Sequence, residues 1–127
     1  GPNMNLLGLK QIGGGQKLTL DRINKKIRQI AKTNNINLFI TQSHSESKIV
    51  SLIHRNRSKV DHLIISPGIW TVNGFLLKET LELINTPFSM ILTKNEEIGI
   101  FKSITDKSRI FIDSAYIDAY TESINSL

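Results

Sequence analysis

The strongest constraint on this chain is an alternation of short apolar runs with longer segments of helical apolar spacing. Leu20, Ile23, Ile27, Ile30 and Ala31 recur at helical spacing across 19–33, with Asp21 in the first turn. Asn34-Asn35 stops that helix, and Ile36 to Thr41 reads as a strand. Glu46 to Asn56 forms a second helix with Ile49, Val50, Leu52 and Ile53 inward. Val60 to Ser66 holds the buried-looking strand Leu63-Ile64-Ile65, which Pro67-Gly68 ends. Residues 74–85 make a third helix with Phe75, Leu76, Leu77, Leu81 and Ile84 apolar, broken by Pro87. Phe88 to Thr93 is a strand, 94–108 is polar and irregular, Arg109 to Ile112 is a strand, and Ala115 to Ile124 a helix. Strands alternating with helices of roughly 10–15 residues need crossover connections, and crossovers make a parallel sheet. The expected class is α/β, one domain over 1–127, with helices on both faces of a parallel sheet.

Composition narrows the chemistry. A hydrophobic fraction of 39% and a charged fraction of 21% suit a folded domain. Cysteine is absent, which excludes disulfides, thiolate metal sites and thiol nucleophiles. The net charge of +5 admits a nucleic acid or an anionic small molecule as partner. The first helix carries Arg22, Lys25, Lys26, Arg28 and Lys32, most of them roughly opposite its isoleucine stripe, as a solvated face does. No aromatic platform interleaves with that charge, so no nucleic acid is expected. No apolar run approaches the ~20 residues of a membrane span, and the first residues carry no signal-peptide pattern. A cytoplasmic protein without a membrane partner is expected.

In parallel sheets, ligands bind beyond the carboxyl ends of the strands. That selects residues 1–17, 42–47, 66–74 and 93–103. Gly13-Gly14-Gly15 fits neither phosphate-binding glycine motif and reads as a lid or connector. His44, His54 and His62 show no metal-ligand spacing, and no nucleophile elbow accompanies them. His44 sits at a strand's carboxyl end, whereas His54 and His62 read as structural or packing residues. Ser66-Pro67-Gly68-Ile69-Trp70-Thr71 runs from a buried strand into a helix. It is either an anion-binding turn or a tight connection with Trp70 packed down.

These segments resemble the type II 3-dehydroquinate dehydratase (type II dehydroquinase) family. Gly1-Pro2-Asn3-Met4-Asn5-Leu6-Leu7-Gly8 is similar to its opening G-P-N-L-N-L-L-G. Thr41-Gln42-Ser43-His44-Ser45-Glu46 resembles its Q-S-N-H-E segment. Ile53-His54 and the run Val60 to Gly68 resemble its I-H…D-G-I-V-I-N-P-G, and Thr86-Pro87 its later I-P. The resemblance implies a flavodoxin-like three-layer sandwich, trimers that assemble into dodecamers, and an anti elimination of water. It also implies a sheet strand ahead of G-P-N, so the first strand is expected upstream of residue 1.

The family's roles transfer unevenly. Its asparagine survives as Asn3, and its lid arginine falls on Lys10. Its lid tyrosine, the proton-abstracting base, falls on Gly15; Tyr116 and Tyr120 both lie on the last helix. The asparagine of N-P-G becomes Ser66, and the acid histidine becomes Val72, after Trp70-Thr71. A substrate histidine falls on Leu92, a supporting glutamate on Met90, and a final arginine on Lys102. Thr93-Lys94 replaces the Ile-Ser whose backbone holds the substrate carboxylate. The resemblance thus implies Asn3 and Lys10 as catalytic residues, Lys10 as a substitute base. Ser66, Trp70, Thr71, Thr93, Lys94 and Lys102 are the expected substrate-binding residues. No cofactor or metal is called for. The expected function is a repurposed lyase acting on another acidic or carbonyl-bearing small molecule. The alternatives are 3-dehydroquinate dehydration itself, or a non-catalytic oligomer. Converging lysines around a pocket favour the enzyme; a pocket filled by Met90, Leu92 and Trp70 favours the scaffold.

Overall fold

The computed structural model describes residues 4–11 and 17–127, and the side chains from residue 22 within the first helix. Five strands form one all-parallel sheet: β1 (Met4–Gln11), β2 (Ile36–Ser43), β3 (His62–Ser66), β4 (Phe88–Thr93) and β5 (Ile110–Asp113). Their spatial order is β2-β1-β3-β4-β5. The helices are α1 (Lys17–Thr33), α2 (Glu46–Asn56), α3 (Trp70–Asn73), α4 (Phe75–Leu83) and α5 (Tyr116–Asn125). Short 3-10 turns at Gly99–Ile104 and Lys107–Arg109 occupy the stretch that reads as irregular.

The sheet separates two cores. On one face Leu6, Ile64 and Ile91 pack with Ile27 of α1 and with Ala119, Tyr120 and Ile124 of α5. On the other, Leu7, Leu9, Leu63, Ile65 and Met90 pack with α2, α4, Trp70 and Phe101. Successive strand residues point to opposite faces, so Leu6/Leu7 and Ile64/Ile65 each serve both cores. Burial on both faces explains why β3 reads as a continuous apolar run. This is the α/β arrangement expected from the alternation, and the flavodoxin-like one that the resemblance implies.

Several local expectations need correcting. Residues 4–11 lie within the stretch 1–17 placed beyond the strands' carboxyl ends, yet they form β1 and pair with both β2 and β3. Leu6, Leu7 and Leu9 are nearly solvent-free, and that burial overrides the weak strand pattern of an Asn- and Gly-containing segment. This segment lies between β2 and β3 in the sheet. Helix α1 begins at Lys17, so Asp21 lies beyond its first turn. The third helix runs Phe75–Leu83 after a short helix at Trp70–Asn73, and Phe75 and Leu76 face outward. Ile69, Val72 and Leu83 are exposed large hydrophobics as well.

Candidate active site at the carboxyl edge of the sheet

Strand order reverses between β1 and β3, and the two strands end side by side with Lys10 opposite Ser66. A crevice at such a switch point is where α/β sheets bind ligands. Lys10 shares a face with Leu6, so its side chain runs beneath α1 and α5 and is 2% exposed. Its Nζ donates to Asn24 Oδ1 of α1 at 2.5 Å and lies 4.8 Å from the centroid of the Tyr120 ring. Burial lowers the Lys10 amine from the ordinary 10.5 to about 8, and the positive charge of Arg28 adds to that. A neutral amine is therefore accessible near physiological pH.

Ser66 Oγ is hydrogen-bonded to Tyr120 Oη. Tyr120 lies within the α5 stripe of Ala119, Ser123 and Ile124, and burial pushes its phenol well above the usual tyrosine range. One turn earlier, burial and the Glu96 carboxylate push Tyr116 up in the same way. Sequence reasoning set both tyrosines aside for their place on the last helix. The signal that could have recovered them is their i,i+4 spacing on an apolar stripe that must face the sheet. Asn24 carried no sequence signal, because a polar residue next to a helix's apolar stripe is unremarkable.

The backbone sites expected to hold an anion are already filled from within the chain. Glu96 Oε1 accepts from the Thr93 N–H at 2.8 Å and from Thr93 Oγ1 at 3.2 Å. The Lys94 N–H donates to the Asp113 carbonyl at 3.1 Å. At the start of α4 the Leu77 N–H donates to Glu46 Oε2 of α2 at 3.0 Å. A carboxylate at that helix terminus satisfies orphan donors and the dipole together. Of the two readings of the 66–74 turn, the tight connection with Trp70 packed down is the one seen. Removing Glu96 tests the occupancy: in Glu96→Ala, added acetate is expected to shift the Thr93 amide resonance. An equal shift in the unaltered protein would show that Glu96 does not hold that donor.

The other candidates are scattered. Trp70 is 4% exposed and belongs to the core with Met90 and Phe101, because the turn after β3 folds it inward. Gly68 makes that turn at φ 52°, and a Cβ there would meet Gln11 Oε1 at 2.6 Å. Thr71 Oγ1 donates to the Gly68 carbonyl at 3.1 Å. Gly99, at φ 59°, lies so close to the Thr71 carbonyl that a Cβ would come within 2.1 Å of it. Lys94 and Lys102 are exposed. The segment of Lys102 packs through Phe101 into the core across the sheet from Lys10, so the lysines do not converge. Leu92 is buried as well. Asn3, Gly13-Gly14-Gly15 and the position of the missing tyrosine, Gly15, lie outside the described residues.

At the opposite, amino end of the sheet His62 is buried, with Nε2 at 2.7 Å from Ser89 Oγ and Nδ1 at 3.1 Å from Arg109 Nη1. Arginine can only donate, so Nδ1 accepts and the ring proton sits on Nε2. His44 and His54 are exposed. Among the described residues no three His, Asp or Glu side chains could hold a metal ion, and no helix is long and apolar enough to cross a membrane.

The sequence matches the Dehydroquinase class II family over residues 1–124. It is 35% identical over 96 residues to a protein named 3-dehydroquinate dehydratase from Buchnera aphidicola, covering 75% of this chain and 63% of that protein. It is 32% identical over 87 residues to one of the same name from Pelotomaculum thermopropionicum, covering 68% of this chain and 60% of that protein. The matched region is thus less than two thirds of these relatives' length. The fold superposes on the crystal structure of type II dehydroquinase from Butyrivibrio crossotus with a TM-score of 0.83, covering 99% of this chain and 98% of that one at 16% identity. Whole-length family match, sequence relatives and sheet topology agree: this chain belongs to the class II dehydroquinases.

Proposed function

We propose that the chain is a cytoplasmic, homo-oligomeric lyase of the dehydratase type, diverged from the ordinary family chemistry. Its substrate is an anionic small molecule bearing an acid or a carbonyl group, and its proton-abstracting group is Lys10. The observation that carries this reading is the buried Lys10 amine beside Ser66 where the strand order reverses. A lysine brought near neutral pH by desolvation can take a proton next to a carbonyl, and the enolate so formed expels water. Val72, at the position of the family's acid, cannot protonate the leaving hydroxyl, so a solvent water gives that proton and the hydroxide left behind takes the one held by Lys10. The exposure of Ile69, Val72, Phe75, Leu76 and Leu83 supports contact with further copies of the chain, as a trimer or dodecamer.

A second reading is that 3-dehydroquinate itself is the substrate. The names of the sequence relatives favour it. A third, the non-catalytic oligomer, is favoured by Trp70, Met90 and Leu92, which are buried where an apolar pocket was expected. Proton NMR of purified protein with 3-dehydroquinate separates the three. The second reading expects dehydration at a rate comparable to an ordinary type II enzyme. The first expects weak turnover or none of dehydroquinate, but turnover of some other β-hydroxy carbonyl acid in a panel. That activity should fall about 100-fold in Lys10→Met, the scale of losing one general base. No turnover across the panel would leave the scaffold.

A further inference from the structure

Four side chains from four elements meet at the carboxyl edge: Lys10 of β1, Asn24 of α1, Ser66 of β3 and Tyr120 of α5. The reading above uses Lys10 and leaves open what fixes it. A buried lysine has four rotatable bonds and a charge that burial penalises. Left alone, it would swing toward water. Here two contacts oppose that. The Asn24 carboxamide accepts a proton from Nζ, and the Tyr120 ring presents its negative face to the same atom. The ring cannot turn away, because its hydroxyl is bonded to Ser66, which lies opposite Lys10 in the β1·β3 register.

We propose that Tyr120 and Asn24 are positioning residues that hold the Lys10 amine at the strand-order reversal, with Ser66 locking the tyrosine ring beneath it. The proposal rests on Lys10 being the working group of the site, but its test does not use turnover. Both contacts favour the ammonium form, whereas burial and Arg28 favour the neutral amine. Among the described residues, the remaining charged or titratable groups around the cluster are Tyr120 itself and, beyond it, Tyr116 and Glu96. Both phenols are held protonated by burial and carry no charge near neutral pH.

The experiment is an NMR titration of the lysine side-chain ε-carbons in the full chain, with Lys10→Met identifying the Lys10 signal. In Tyr120→Leu the ring face is lost, and the Lys10 midpoint is expected to fall by about one pH unit, the scale of a desolvated cation–π contact. In Tyr120→Phe the face is kept but the bond to Ser66 is lost, and the midpoint is expected to fall by less than in Tyr120→Leu. Asn24→Leu removes the acceptor and is expected to lower the midpoint as well. A midpoint that stays put or rises in Tyr120→Leu overturns the role of the ring. An equal fall in Tyr120→Phe overturns it too, by moving the effect to the hydroxyl. If Tyr120→Leu does not fold by circular dichroism, Tyr120→Phe and Asn24→Leu decide: an unmoved midpoint in Asn24→Leu sinks the proposal. A lysine that titrates as expected in a protein without turnover would sink the proposed function and leave this inference standing.

Discussion

Phe101→Ala should lower the stability of the fold by about 3–5 kcal/mol, the range for deleting a fully buried aromatic ring. Phe101 has no exposed surface and belongs to the core cluster that includes Trp70, Leu77, Leu81 and Met90. The loss combines the transfer energy of the ring with a cavity that neighbouring backbone cannot close. Gly99 sits against the Thr71 carbonyl and holds the turn in place, so the segment has little room to collapse inward. A loss of this size is a large share of the roughly 5–15 kcal/mol that stabilises a typical domain. Urea unfolding checks it: the midpoint should drop with the slope unchanged. Phe39→Ala is the matched control, since Phe39 is 58% exposed on the outer strand β2, and should change stability by no more than about 0.5 kcal/mol. A cost below about 1 kcal/mol for Phe101→Ala would mean that the ring does not anchor the Gly99–Ile104 segment to the core.

Acidification should destabilise the protein through His62. Burial first, and then the Arg109 charge, lower this imidazole from the ordinary 6.5 to about 4. The neutral ring is the form that accepts from Arg109 and donates to Ser89. Protonation puts a second cation against the guanidinium and turns Nδ1 into a donor that faces the Arg109 donor. The folded state resists a proton that the unfolded chain takes readily. The unfolded chain therefore binds more protons between pH 6.5 and 4, and stability falls as pH falls through that window. Above it the contribution is fully present, and below it no further loss comes from this group. The full effect is about 3 kcal/mol. Urea unfolding at pH 7 and pH 4 on the unaltered protein and on His62→Gln would measure it. The unaltered protein should lose more stability than the variant over that interval. Parallel losses in the two would show that titration of other groups governs the acid side.

The amino-acid sequence by itself determined the architecture and the family. The stripe of Ile23, Ile27, Ile30 and Ala31, the apolar run Leu63-Ile64-Ile65 and the break at Pro67-Gly68 specify helices and strands locally. Alternation of the two then leaves few choices besides a parallel sheet with helices on both sides. Segments such as Gly1 to Gly8 and Ser66-Pro67-Gly68 carried the family. Local pattern did not identify β1. Met4–Gln11 contains Asn5, Gly8 and Lys10, and only its insertion beside β2 and β3 makes a strand of it.

The site was decided by tertiary structure. Sequence spacing grouped Lys10, Lys94 and Lys102 by their places at strand ends and in loops, yet Lys10 lies under α1 and α5 while Lys102 rides on the opposite core. Spacing also could not show that Glu46 and Glu96 fill backbone donors from inside the chain, since each comes from an element remote from, or folded back on, its donor. Tyr120 is separated from Lys10 by most of the chain, and it reaches that amine because α5 returns across the sheet to pack beside α1. Periodicity records which face of an element is buried. It does not record which distant face lies against it, and that pairing brought Lys10, Asn24, Ser66 and Tyr120 together.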